Sequence, residues 1–360
     1  MNTGIITFND TNNFGSLLQT YALYQVIRDR YSQCEIINYR CKNLYDREIP
    51  KHFYQLRTPK DFYRYTKYHR EQQKKYKELT AFANTNMFLS PVLTKENVAD
   101  YCRKYDKIIV GSDIVWGLDI TGEDYTYFLD FMSRGEKYAY ASSFGSDYIM
   151  SDPRKKKVGD LLRTFKLIAV RENDACACVR AISGKDAYLV LDPTLLLSSA
   201  EWEKYVSCRL IKEPYILTYF EDEQGVVRNT AIKLSAQTGL SVYNITNGKN
   251  MEGVKNISAY SIEDFLSYIF FADLVITSSY HGMAFSINFN KQFYFFNRCH
   301  KSRMDTLASI ARVENRELKK NELWDSTDIN YLFVNDNISE WRKKSFNYLN
   351  KVFCNDENSN

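Results

Sequence analysis

Residues 4–39 read GIITFNDTNNFGSLLQTYALYQVIRDRYSQCEIINY, and their pattern of apolar residues indicates the fold class. Its two ends, GIITF and CEIINY, are short apolar runs typical of buried strands. Between them, apolar residues recur at the spacing of one helix face: Leu17, Tyr21, Leu23 or Tyr24, and Ile27. Strand, helix and strand in this order predict two parallel strands joined by a right-handed crossover, the repeating unit of an α/β sheet.

The same alternation continues along the chain. Apolar runs that end in polar residues occur at KIIVGSD, YAYASSFGS, LIAVREND and YLVLDPT, and again at PYILTYF, SVYNIT, DLVITSSYHG and QFYFFN. Because 360 residues exceed what one core usually supports, we predict two Rossmann-like α/β domains facing a cleft, residues 1–212 and 213–336. Residues 337–360 are predicted to form a helix that could cross back to the first domain, followed by a frayed tail.

A segment of about residues 40–100 interrupts the alternation and is predicted to be a helical insert in the first domain. Its part from Lys51 to Leu79 carries nine Lys or Arg, three acidic residues and seven aromatics. Two interpretations are open: a solvated helix with one aromatic face on the body, or a contact with a membrane surface or an anionic acceptor.

Composition excludes several classes of protein. A net charge of +4 without a helix-turn-helix or zinc-finger pattern argues against nucleic acid as a partner. Eight scattered cysteines without C-x-x-C units argue against a zinc site or a disulfide framework. No apolar run approaches the length of about 18 residues that spans a bilayer, and the N-terminus lacks signal-peptide features. We therefore expect a cytoplasmic protein.

The stretch 276–285, ITSSYHGMAF, is the strongest candidate site. We predict a strand that ends at Ile276 or Thr277, a helix that begins near Gly282 or Met283, and His281 in the turn between them. A helix N-terminus favours anions. Possible ligands for an anion are Ser278, Ser279 and Tyr280 as hydroxyl donors, and Gly282 as a point of close backbone approach. The alternative is that His281 is a structural residue.

Arginines occur at comparable strand ends. Arg171 follows the strand LIAV, while Arg298 and Arg303 follow QFYFFN. Guanidinium groups hold carboxylates and phosphates with two parallel hydrogen bonds, so these three are candidate anion ligands. For Arg171 the alternative is a salt bridge with Glu172 or with a neighbouring helix.

These motifs together resemble the polysaccharide pyruvyl transferases. The resemblance runs from NNFGSLLQTYAL through VGSDIVW, SSFG, AVRE and VLDPTLLL to TSSYHGMAFSINFN and the pair Ser302–Arg303, and it covers residues 4–312. It implies a fold similar to the GT-B glycosyltransferases and a reaction that moves pyruvate from phosphoenolpyruvate onto two sugar hydroxyls as a cyclic ketal. His281 would be the general acid, and the three arginines with residues 278–282 would bind the donor. We expect neither metal nor cofactor, because cationic side chains neutralise the donor.

The first domain is expected to bind the acceptor sugar. Asp113 could act as a base towards a hydroxyl, or it could be a helix cap. Further candidate sugar contacts are Asn13, Gly15, Gln19 and Trp116, the last through ring stacking. The acceptor implied by the resemblance is a surface-polysaccharide sugar on a lipid-linked oligosaccharide, so peripheral contact with the inner membrane face is a hypothesis.

Two other functions are consistent with the sequence. One is a GT-B-like glycosyltransferase that uses a nucleotide sugar in the same cleft. The other is a carbohydrate-binding protein without catalytic activity, against which the retained histidine and arginines argue.

Overall fold

The computed structural model describes residues 2–220, 224–246, 250–297, 301–319 and 327–354. They form two compact units. Unit 1 comprises residues 2–48, 83–197 and 338–354, and unit 2 comprises the described parts of 49–82 and 198–337.

The strands are β1 (Thr3–Ile6), β2 (Cys34–Ile36), β3 (Lys107–Val110), β4 (Glu136–Ser142), β5 (Leu167–Val170), β6 (Tyr188–Leu189), β7 (Tyr215–Tyr219), β8 (Ser241–Ile245), β9 (Lys255–Ile257), β10 (Leu274–Thr277) and β11 (Gln292–Phe295). The helices are α1 (Phe14–Arg30), α2 (Lys42–Glu48), α3 (Pro59–Asn86), α4 (Val98–Tyr101), α5 (Leu118–Thr121), α6 (Lys155–Arg163), α7 (Asn173–Ser183), α8 (Ser199–Glu203), α9 (Gln224–Thr238), α10 (Ile262–Phe270), α11 (Tyr280–Asn288), α12 (Lys301–Ala311) and α13 (Tyr331–Phe353).

Each unit contains one parallel sheet. In unit 1 the order is β2-β1-β3-β4-β5-β6, and in unit 2 it is β11-β10-β7-β8-β9. The direction of winding therefore reverses between β1 and β3 in unit 1, and between β7 and β10 in unit 2. Ligands of open α/β sheets bind outside the carboxyl ends of the strands at such a switch point. The predicted α/β class with two Rossmann-like sheets is confirmed.

The sheet of unit 1 is buried because its strands are short, apolar and covered on both faces. Ile5, Ile108 and Ile168 are each at most 1% exposed. The part of α13 in unit 1 packs on this sheet: Tyr348 Oη donates to the carbonyl of Ala139 at 2.7 Å, and buried Lys107 Nζ donates to the carbonyl of Val352 at 2.9 Å. Residues 338–354 thus belong to unit 1.

Helix α3 belongs mainly to unit 2, so the prediction that the basic insert is part of the first domain is wrong. The physical reason is a set of contacts with later residues of unit 2. Lys74 Nζ lies 3.8 Å from the ring centre of Tyr260, whose hydroxyl is bonded to Glu71. Phe82 packs edge-on against Tyr205 at 5.4 Å. The chain also changes unit between Leu197 and Ser198, before the boundary predicted at residue 213.

A search of the described ranges finds no helix with the length and apolar character required to cross a membrane.

Candidate functional site

The switch point of unit 2 holds the stretch around His281. Thr277, the last residue of β10, donates its hydroxyl to the carbonyl of Tyr219 at the end of β7, at 2.8 Å. The same hydroxyl oxygen accepts from the backbone N–H of Ser279 at 3.0 Å. The Thr277 side chain therefore fixes the turn to both strands that flank the switch point.

Helix α11 begins earlier than predicted. Ser279 is its N-cap, and the Ser279 hydroxyl accepts from the N–H of Gly282 at 3.4 Å, so the helix starts at Tyr280. His281 consequently lies in the first turn of the helix and not in the connecting turn. Its side chain is largely buried, and the ring of Tyr280 stands nearly perpendicular to the imidazole at 5.3 Å.

Gly282 serves a packing purpose that the sequence did not reveal. A Cβ atom at this position would lie 2.4 Å from Thr277 Oγ1 and 3.2 Å from Thr277 Cβ. The close approach predicted for a ligand is thus made by the preceding strand, and this interpretation of Gly282 is corrected. The absence of a side chain lets α11 sit directly against the end of β10.

The remaining donor-site candidates differ in how the structure places them. Ser278 and Tyr280 are buried beside His281. Arg303 is half-buried in the first turn of α12, a helix that packs against α11. Arg298 lies outside the described residues.

The switch point of unit 1 brings together the loops that follow β1 and β3. Ser16, in the first turn of α1, donates its hydroxyl to Asp113 Oδ2 at 2.5 Å. Thr7 Oγ1 donates to the carbonyl of Ser112 at 2.7 Å. Asp113 itself has φ of 81°, in the left-handed region, and it is held there by the N–H of Ser143, which donates to the Asp113 carbonyl at 3.0 Å. Such strained non-glycine residues cluster at functional sites.

Arg171 lies at the end of β5 in a buried ion-pair network of unit 1. Its Nη1 is 2.9 Å from Asp192 Oδ2, and its Nε is 3.9 Å from Glu172 Oε2, with all three side chains at most 1% exposed. Asp192 also accepts from Ser112 Oγ at 2.8 Å, and Glu172 accepts from Ser143 Oγ. The alternative of a salt bridge with Glu172 is therefore present at 3.9 Å, and the closer pair with Asp192 was not predicted. Contact of Arg171 with phosphoenolpyruvate stays a prediction.

Two predicted sugar contacts are wrong, because both side chains are fully buried. Trp116 lies in the core among Phe128, Phe144 and Phe165, and its Nε1 donates to the carbonyl of Tyr127 at 3.0 Å. No ring face is therefore available for stacking on a sugar.

The second is Gln19. Its Nε2 donates to Thr7 Oγ1 at 3.0 Å and to the carbonyl of Ser16 at 2.8 Å. Gln19 therefore links the loop after β1 to the first turn of α1.

Asn13 and Gly15 lie at the start of α1. Asn13 is half-buried and is the N-cap, with its Oδ1 accepting from the N–H of Gly15 at 2.8 Å. The pair brings Ser16 to Asp113. Their contact with an acceptor sugar stays a prediction.

The polar residues bonded to one another after the strands of unit 1 are named the unit 1 cluster: Ser16, Ser112, Asp113, Ser143, Arg171, Glu172 and Asp192. Among these, sequence reasoning missed Ser16, Ser143 and Asp192. Asp192 precedes a proline, a position typical of turn residues, and it does cap a turn by accepting from the N–H of Thr194 at 3.0 Å. Their positions in the sequence could have identified them, since each of the three follows a predicted strand or lies at the start of the first predicted helix.

The cluster in unit 1 is rich in hydrogen-bond acceptors, whereas the cluster in unit 2 combines a helix N-terminus, hydroxyls and an imidazole. Both occupy switch points of parallel sheets. A sequence model of the family described as polysaccharide pyruvyl transferase matches residues 13–300, a range that includes both clusters. The chain belongs to the polysaccharide pyruvyl transferase family. It is a transferase, and this family acts on a sugar acceptor.

The fold of this polysaccharide pyruvyl transferase resembles solved structures of GT-B-like enzymes. A putative UDP-N-acetylglucosamine 2-epimerase from Listeria monocytogenes aligns with a TM-score of 0.54 and 9% identity, over 100% of this chain and 97% of that one. The UDP-GlcNAc 2-epimerase from Neisseria meningitidis, bound to UDP-GlcNAc, aligns with a TM-score of 0.52 and 9% identity, over 96% and 93%.

The Anabaena protein HepE, in complex with UDP and glucose, gives a TM-score of 0.50 with 10% identity, over 98% of this chain and 95% of that one. At such identities the likeness concerns the fold alone. A comparison with curated protein sequences finds no match.

Proposed function

We propose that this transferase moves pyruvate from phosphoenolpyruvate onto two hydroxyls of one sugar in a surface polysaccharide or its lipid-linked precursor, forming a cyclic ketal. The observation that carries the proposal is the position of His281, in the first turn of α11 at the switch point of unit 2. A proton donor and an anion-binding helix end are combined there, and the donor substrate requires both.

Donor binding rests on charge. Phosphoenolpyruvate carries a phosphate and a carboxylate, so it suits the N-terminus of α11 and the hydroxyls of Ser278 and Tyr280. Arg303 on the adjacent α12, together with Arg298, is proposed to neutralise the remaining charge, and contact of Arg171 with the donor stays a prediction. This set of cations makes a metal ion and a cofactor unnecessary.

The reaction consumes one proton at the donor and releases two from the acceptor. His281 delivers a proton to the methylene carbon of phosphoenolpyruvate, and the neighbouring carbon becomes an oxocarbenium-like centre that the first sugar hydroxyl attacks. The carbon–oxygen bond to phosphate then breaks, and the second hydroxyl closes the ring. Of the two protons released by the hydroxyls, one restores the imidazolium and the other leaves with inorganic phosphate.

The unit 1 cluster is proposed to receive the acceptor. Asp113 is held by Ser16 and by the N–H of Ile114, which donates to Asp113 Oδ1 at 2.8 Å. A carboxylate held in this way can accept a hydrogen bond from a sugar hydroxyl and take its proton. Asn13 at the start of α1 is a proposed further contact.

Mass spectrometry of candidate glycans incubated with phosphoenolpyruvate tests the proposal. The expected product has gained one pyruvate less one water. In heavy water, its methyl group should carry one deuterium for each pyruvate transferred. Release of phosphate without modification of any sugar would contradict ketal formation.

A second candidate function is glycosyl transfer from a nucleotide sugar, which is favoured by the UDP and glucose bound to the similar fold of HepE. Thermal-shift titration separates the two. Stabilisation by phosphoenolpyruvate but not by UDP supports pyruvyl transfer, and the reverse result supports glycosyl transfer.

A further inference from the structure

The two ends of helix α3 have different environments. Toward its C-terminal end, Lys75, Leu79 and Phe82 are buried at the spacing i, i+4 and i+7, which is one helix face. Contacts of Glu71 and Lys74 with Tyr260 attach the same part of the helix to unit 2. Among the described side chains from 51 to 70, by contrast, none is buried. The helix is thus anchored at one end and open to solvent at the other.

The open end of α3 and the residues that precede it present a cluster of aromatic rings. Phe53 is 65% exposed, Tyr54 80%, Phe62 52% and Tyr63 58%. The ring of Phe53 lies 6.5 Å from that of Phe62 and 6.0 Å from that of Tyr65, so the aromatic residues form one patch. Contiguous exposed apolar surface of this kind marks a binding site.

The same segment is strongly basic. Residues 51–70, which we name the basic aromatic segment, contain six Lys or Arg and one acidic residue, Asp61. Asp61 is already paired with Lys51 at 3.1 Å. Lys67 reaches the hydroxyl of Tyr63 at 3.1 Å, so cations and rings share one surface.

We propose that the basic aromatic segment docks the protein on a bilayer that contains anionic phospholipid. Aromatic rings partition to the headgroup level of a membrane, and Lys and Arg near its surface are attracted by anionic lipid. A folded acidic protein would complement the charge but would not explain four rings directed to solvent. The inference goes beyond the proposed function, and its test requires neither donor nor acceptor.

Cosedimentation with vesicles tests the docking. Wild-type protein is expected to bind vesicles of phosphatidylcholine with phosphatidylglycerol, and not vesicles of phosphatidylcholine alone. Binding should weaken as salt is raised, because exposed charges are screened.

Two variants separate the contributions of charge and rings. The charge variant is expected to lower the partition coefficient by about fivefold for each cation removed. It carries Lys51→Gln, Arg57→Gln, Lys67→Gln and Arg70→Gln. The ring variant is expected to lower the coefficient on the same vesicles at unchanged charge. It carries Phe53→Ser, Phe62→Ser and Tyr63→Ser.

Matched controls use side chains that are equally exposed elsewhere. The charge control carries Lys155→Gln, Lys156→Gln, Lys212→Gln and Lys233→Gln. The ring control carries Phe88→Ser, Leu332→Ser and Phe333→Ser. Both controls should bind as wild type, and all variants should keep the wild-type circular dichroism spectrum and melting temperature.

Three results would overturn the docking: binding of wild type to neutral vesicles as strong as to anionic ones, full binding by both segment variants, or equal losses in the controls. Binding to RNA that is lost in the charge variant, with no vesicle binding by wild type, would identify a nucleic acid as the partner instead. Pyruvyl transfer to a soluble glycan is measured separately, so failure of the docking and failure of the enzymatic proposal are distinguishable.

Discussion

The switch points of the two sheets have the same topology and opposite chemistry. In unit 1, Glu172 and Asp192 are paired with Arg171, and the carboxylates of Asp113, Glu172 and Asp192 each accept a hydrogen bond from a serine hydroxyl. In unit 2, the ten residues 276–285 contain no acid and combine hydroxyls with one imidazole at a helix N-terminus. Asp113 of unit 1 is the carboxylate proposed to accept a hydrogen bond from a sugar hydroxyl, and the N-terminus of α11 in unit 2 is proposed to hold the anionic donor.

The two regions also differ in backbone strain. In unit 1, Asp113 in the loop after β3 and Ala141 near the end of the neighbouring β4 have φ of 81° and 55°. In unit 2, Gly282 permits close packing within an ordinary helix. In unit 1 the carboxylate of Asp113 is thus positioned by a strained backbone conformation, which destabilises the folded state by about 1–3 kcal/mol. In unit 2 the imidazole of His281 is positioned by the close packing of α11 on β10.

The largest effect on stability is expected from Arg171→Met. Removal of the guanidinium leaves Asp192 and Glu172 buried without a counter-charge, and breaking a buried pair in this way costs about 3–5 kcal/mol. The measurement is urea denaturation. Arg180→Met is the control, because Arg180 is exposed and pairs with Asp186 at 2.8 Å, and loss of an exposed pair costs about 1 kcal/mol or less. Equal losses of unfolding free energy in the two variants would show that the ion pairs of Arg171 contribute no more than an exposed pair.

Gly282→Ala should have the next largest effect. The added methyl group would overlap with Thr277 and push α11 away from β10, at a cost of about 1–3 kcal/mol. Denaturation and the rate of transfer should both be affected, since the helix carries His281. Gly225→Ala is the control: it lies near the start of α9 with open space around it, and it should be neutral or stabilising. A Gly282→Ala variant as stable as wild type would contradict the packing argument.

A smaller effect is expected from Ser279→Ala. Loss of an N-cap costs about 1 kcal/mol. Ser261→Ala is the matched variant, because Ser261 caps α10 in the same unit and accepts from the N–H of Asp264 at 3.1 Å. Both should lose similar stability, but only Ser279→Ala should slow transfer. Equal rates of transfer in the two variants would show that the cap of α11 does not contribute to the donor site.

The smallest effect concerns the accessibility of cysteine thiols in the two units, which is measured by thiol labelling. Burial raises the pKa of Cys34 and of Cys102 in unit 1 to about 12, while Cys208 in unit 2 is exposed. In a Cys299→Ser background at pH 8, a disulfide reagent should label Cys208 and the exposed Cys354 of unit 1, and label Cys34 and Cys102 only after unfolding. Fast labelling of Cys34 in folded protein would show that unit 1 opens readily.

The sign of the pH dependence follows from these raised values. The folded state favours the neutral thiols, so their contribution to stability is fully present below the unfolded pKa of about 8.5. That contribution is lost as the pH rises toward 12. Unfolding midpoints measured between these limits should therefore fall as the pH is raised.

The sequence allowed the strands and the candidate site of unit 2 to be predicted, because apolar runs mark parallel strands and ITSSYHG interrupts one of them. The edge strand β9 was missed, since its sequence KNI has no apolar run and Asn256 is held by side-chain bonds to Asn244 and Met251. Trp116 was misjudged because the residues that cover its ring, such as Phe144 and Phe165, are distant in sequence. The residue type alone does not show whether a tryptophan packs in the core or stacks on a sugar ring.

The rate of pyruvyl transfer by His281→Ala, relative to wild type, measures whether this imidazole is the proton donor. If His281 protonates phosphoenolpyruvate, its removal should reduce the rate by about 10²–10⁴. Thermal stabilisation by phosphoenolpyruvate should persist, because other groups bind the anion. A His281→Ala enzyme that transfers pyruvate at the wild-type rate would show that His281 is not the general acid.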